Sequence, residues 1–78
     1  MVNNEKKETG IGAAVRLAGS QAELAGKLGV SQQAVSLWLR RGYVPLLRAQ
    51  EIEALYGIAR CQLINPRIKD LVDLEAAA

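Results

Sequence analysis

Between Ser20 and Gly42 the chain twice runs through the same local grammar: a serine suited to capping a helix, apolar residues three and four apart, and a closing glycine. Ser20-Gln-Ala-Glu23 is a capping-box sequence, in which hydroxyl and carboxylate satisfy N–H groups left free at a helix start. Leu24, Ala25 and Leu28 form the buried stripe of that helix, and Gly29 can take the left-handed conformation that ends it. Only Val30 and Ser31 separate Gly29 from the next helix, predicted over 32–41, which buries Val35, Trp38 and Leu39 and closes at Gly42. Arg40 and Arg41 lie at its negative end, a favourable place for cations. Two helices joined by a three-residue turn containing glycine make a helix-turn-helix. The residues filling it each have a steric reason: Ala25 is small where the helices nearly touch, and Leu24, Leu28, Val30, Val35 and Trp38 set the crossing angle.

The flanking segments extend this to an all-α domain of about five helices. Thr9 is placed to cap a first helix carrying Ile11, Ala14, Val15 and Ala18, ended by Gly19, with Gly10 and Gly12 weakening its start. After Gly42, Tyr43-Val-Pro45 is an extended connection, because the residue before proline avoids the helical region. Pro45 suits the first position of a fourth helix, about 46–56, with Ala49, Ile52, Leu55 and Tyr56 inward and Gly57 as its stop. Beyond it a short helix over 60–64, a turn at Asn65-Pro66 and a final helix carrying Ile68, Leu71 and Val72 are expected. The organisation is a flexible arm over 1–8, a helix-turn-helix domain over 9–66 and a tail over 67–78.

Composition narrows the chemistry. At 78 residues and 50% hydrophobic content the chain makes one small globular domain, and a domain near this size buries only roughly 60% of its unfolded surface, so association is expected. Histidine is absent and Cys61 is the single cysteine, which excludes an intrachain disulfide, a Cys/His zinc site and imidazole catalysis. With no paired acid and base and no phosphate loop, catalytic residues, cofactor and metal are all expected to be none. Cys61 reads as an inert, small buried hydrophobe in a reducing compartment. The longest uncharged run, Leu28 to Leu39, is 12 residues and carries Ser31, Gln32, Gln33 and Ser36, too short and polar to span a bilayer. The start Met1-Val-Asn-Asn-Glu-Lys-Lys-Glu lacks an apolar signal region, so a cytoplasmic protein without a membrane partner is expected.

The charge distribution points to a partner. From Met1 to Gln50 seven Lys or Arg stand against three Glu, a balance of +4, whereas Glu51 to Ala78 holds three against five, a balance of −2. Between Glu23 and Glu51 the only charges are Lys27, Arg40, Arg41 and Arg48. Such a segment suits a polyanion, although a solvated basic face without a ligand has the same composition. Gln32, Gln33, Ser36, Leu37 and Arg40 lie away from the apolar stripe of the third helix. Glutamine can pair with adenine in one bidentate contact, serine reaches either kind of base edge, and an apolar side chain such as Leu37 can touch a thymine methyl. The guanidinium forks of Arg40 and Arg41 can grip guanine or phosphate, with phosphate the better role for Arg41 at the helix end. Lys27 and Arg48 complete the phosphate-contacting set, with an ordinary surface charge as the alternative for both. Ser20, Glu23 and Ser31 are capping residues first, and Ser31 also stands at the start of the recognition helix.

Gln21-Ala-Glu-Leu-Ala-Gly-Lys-Leu-Gly29, followed by Val-Ser-Gln-Gln-Ala-Val-Ser-Leu-Trp38, then Gly42-Tyr-Val-Pro45 and Arg48-Ala-Gln-Glu-Ile-Glu53, resembles the Cro repressors of temperate phages and the related YdaS-like antitoxin group, over about 11–66. The resemblance implies a lambda-repressor-like fold and a small, dimeric, phage- or prophage-type transcriptional regulator that occupies a partly palindromic double-stranded operator. It assigns Gln21 to a phosphate at a helix start, and Ser31, Gln32, Gln33, Ser36 and Arg40 to the operator. Some Cro members have a β-sheet C-terminal half. Two alternatives stand beside a repressor: an antitoxin-type autoregulator whose acidic C-terminal half, from Glu51 on, binds a protein partner, and a helical protein-interaction adaptor that does not bind DNA. The homodimer contact is expected after Pro45, through Ile64, Ile68, Leu71 and Val72.

Overall fold

A computed structural model describes residues 8–67. Four α-helices follow one another, α1 (Gly10–Ala18), α2 (Gln21–Leu28), α3 (Gln32–Arg41) and α4 (Leu46–Tyr56), and a 3-10 turn, Arg60–Gln62, comes after them. The described residues contain no strand, so the fold is all-α. The expected final helix over Ile68, Leu71 and Val72 lies outside the described residues, although Pro66 and Arg67 are helical and Asn65 Oδ1 accepts from the Arg67 N–H at 3.0 Å.

Local side chains start the first three helices. Thr9 Oγ1 accepts from the Gly12 N–H at 3.0 Å, Ser20 Oγ from Glu23 at 3.0 Å and Ser31 Oγ from Ala34 at 3.1 Å. Only the serine half of the capping box forms among the hydrogen bonds of the described residues. Glu23 stays exposed in the first turn of α2, where its charge still favours the helix dipole. Pro45 stands one position earlier than expected, capping α4 with an extended backbone, and Leu46 is the first helical residue.

The core draws one large, fully buried side chain from each segment: Ile11, Leu24, Val35 and Ile52 from the four helices, Val44 from the α3–α4 connection and Leu63 after the 3-10 turn. Each contributes about 1.5–3 kcal/mol by leaving water. Trp38, Ala14, Ala25, Ala49, Ile58 and Ile64 fill the space between them. The extended connection therefore also serves as a core element, and the Val44 N–H donates to the Leu63 carbonyl at 2.7 Å, tying the C-terminal segment across the domain. α1 closes on that segment through Gly10, where any Cβ would collide with the Gln62 carbonyl. The glycine that weakens the start of α1 is the residue that lets the two backbones meet.

Five expectations are corrected. Leu55 is 51% exposed, because Ala49, Ile52 and Tyr56 fall within about 60° around the helix and Leu55 lies about 60° further on. Leu39 and Val15 pack against the core only in part. Cys61 is exposed on the 3-10 turn, and Ile64 is buried in the core and unavailable to a second copy. Glu8, assigned to the arm, is held against α1 by an ion pair with Arg16 at 2.9 Å.

Candidate nucleic-acid interface

The turn between α2 and α3 is short because Gly29 adopts φ 70°, ψ 32°, a left-handed conformation that costs other residues energy. Its N–H closes onto the Ala25 and Gly26 carbonyls, and Val30 N–H donates to Ala25 at 3.0 Å, so α3 starts at once after Ser31. α3 then packs Val35 and Trp38 against α2 and α1. At 3.6 residues per turn, Gln33, Ser36, Leu37 and Arg40 share an arc of about 100° on the opposite side. Gln32, Gln33 and Arg40 are exposed, Ser36 and Leu37 half-buried. Gln32, Gln33 and Ser36 line a shallow open hollow. Ser31 Oγ accepts from Ala34, which leaves its hydroxyl hydrogen available to an acceptor outside the protein.

Gln21, the first residue of α2, reaches this face: Ser36 Oγ donates to Gln21 Oε1 at 2.6 Å. Sequence reasoning placed both residues near DNA but did not pair them, since a contact between helix faces leaves no local signal. Arg41 is exposed at the C-terminal end of α3. Among the described residues neither Arg40 nor Arg41 forms an ion pair, so both charges face solvent unneutralised.

Lys27 and Arg48 fall elsewhere. Lys27 is exposed on the α4 side of α2, beside Leu28, Glu51, Ala54 and Leu55. Arg48 donates to Glu51 at 2.8 Å and to the Leu28 carbonyl at 3.3 Å, which satisfies a free carbonyl at the end of α2. Its charge is compensated within the fold, where Arg48 ties α4 to the end of α2. The acidic side is compensated in the same way: Glu53 accepts from Arg60 at 2.8 Å.

Among the described residues no cluster of His, Cys, Asp or Glu is arranged to hold a metal, and no helix is long and apolar enough to cross a membrane. Two capped helices with a glycine turn, on a bundle that leaves one polar and basic face of the second helix open, define a small helix-turn-helix domain of the regulator type. The family model described as bacterial toxin YdaS matches residues 11–67, and the chain belongs to that family. It is thus a small regulator or a toxin–antitoxin-related protein. No curated protein and no solved structure matches the chain.

Proposed function

We propose that the chain is a sequence-specific double-stranded-DNA-binding transcriptional regulator that acts by operator occupancy, with α3 as its recognition helix. The observation that carries this reading is the outward face of α3, formed by Gln32, Gln33, Ser36, Leu37 and Arg40: the two glutamines, Leu37 and Arg40 offer base-reading chemistry, while Arg40 and Arg41 carry positive charge that no residue of the described fold neutralises. Phosphate contacts fall to Gln21 and Arg41. One such module buries roughly 600–1,000 Å² of protein surface, so tight occupancy calls for two copies bound together. A two-fold pair on one side of the duplex places the recognition helices about 34–36 Å apart and reads an imperfect palindrome.

The test is fluorescence anisotropy on a random-sequence duplex across salt concentrations, joined to selection from a randomised duplex library. Steep weakening with salt and an enriched, roughly symmetric motif are expected. Gln33→Ala then weakens the selected site by about 1–3 kcal/mol and relaxes preference at one base pair. Salt-insensitive or absent binding would instead fit a helical adaptor for a protein partner. A second reading, a toxin–antitoxin module member that also binds protein, draws on the family description. Of the acidic residues from Glu51 on, Glu51 and Glu53 are already ion-paired within the fold.

A further inference from the structure

The bond between Ser36 and Gln21 divides the work of the two side chains. A carboxamide has one carbonyl oxygen and an NH2 group with two donors. With Oε1 occupied by the Ser36 hydroxyl at 2.6 Å, the Gln21 polar group left to face outward is the donor end. Phosphate oxygens only accept, so this orientation matches the DNA backbone. Ser36 has in turn committed its only hydrogen and has no donor left for N7 or a carbonyl edge of a base. The bond also draws the hydroxyl away from the carbonyl four residues back, its usual partner inside a helix.

We infer that Ser36 is a positioning residue: it holds the Gln21 carboxamide donor-outward for a backbone phosphate, and base reading falls to Gln32, Gln33, Leu37 and Arg40. The inference rests on the DNA-binding reading above. It separates Ser36 from Gln33, its neighbour on the same face.

The experiment compares the full chain with Gln21→Ala, Ser36→Ala, the double variant and Ser36→Thr, by anisotropy on a labelled random-sequence duplex and on the duplex enriched from the library. Gln21→Ala should weaken both duplexes about tenfold and Ser36→Ala about threefold, as for loss of one hydrogen bond and of its support. The double variant should bind like Gln21→Ala alone, and Ser36→Thr, which keeps the hydroxyl, should bind like the unaltered chain. Base preference and salt slope should not move, because the carboxamide is uncharged. Multiplying losses in the double variant, or a Ser36→Ala loss confined to the enriched duplex at one base pair, would overturn the positioning role while DNA binding stands. Failure of the unaltered chain to bind either duplex would overturn the DNA-binding reading and this inference with it.

Discussion

Arg41 and Arg48 carry the same charge, and the fold uses it differently. Arg41 stands exposed and unpaired among the described residues, whereas Arg48 closes the end of α2 and pairs with Glu51. Arg41→Gln should reduce the salt slope of DNA binding by about one and leave the melting temperature in place. Arg48→Gln should leave the slope and cost about 1 kcal/mol of stability, or about 4–8 °C for a domain of this size. Anisotropy reads the first effect, and the fluorescence of Trp38, the single tryptophan and a core residue, reads the second. At the N-terminal side the hydrogen bond from Arg16 holds the Glu8 carboxyl below its ordinary 4.5, with the guanidinium charge acting the same way and desolvation opposing. A lowered folded-state pKa means stabilisation that is present above 4.5 and lost as pH falls through the lowered value. Both partners are exposed, so water screens the pair. An NMR titration should find the Glu8 midpoint below 4.5 and back at its ordinary value in Arg16→Gln, with little change in melting at pH 7.

In α2 and at its C-cap two glycines make opposite predictions, although a Cβ would meet nothing within 4 Å at either one. Gly26 is exposed in the helix interior, where glycine is a poor helix former, so Gly26→Ala should stabilise by about 0.5–1 kcal/mol. Gly29 sits at φ 70°, where an L side chain presses on its own carbonyl, so Gly29→Ala should destabilise by about 1–2 kcal/mol. Thermal melting followed at Trp38 separates the two, and equal effects would show that space, not backbone conformation, governs both positions. The consequence reaches the interface, because Gly29 sets the angle at which α3 leaves α2.

At the scale of the whole molecule, the proposed pairing of two copies on DNA makes a prediction about the C-terminal segment. Leu63 and Ile64 are buried, so the described core closes before Asn65. Of the residues proposed for the contact, Ile64 is withdrawn into the core, while Ile68, Leu71 and Val72 lie outside the described residues. Truncation after Asn65 should keep the circular-dichroism signature of the helices and the affinity for an isolated half-site, and should lower cooperativity on the full palindrome. Cooperativity that survives truncation would move the contact to α4, where Leu47 and Leu55 are 62% and 51% exposed.

The bounds of α1 to α4 were legible in the sequence because caps, glycine stops and apolar spacing act within one turn of chain. The outward, polar face of α3 followed from the same periodicity. Tertiary structure decided what no local pattern encodes. Val44 and Leu63 belong to the core because segments distant in sequence converge there. Gly10 is a point of backbone contact, Arg48 serves the end of α2, and Ser36 holds Gln21 across fifteen residues of chain. Each is a contact between elements whose partner is chosen by packing, and a helix pattern reports which face turns inward without naming what that face will meet.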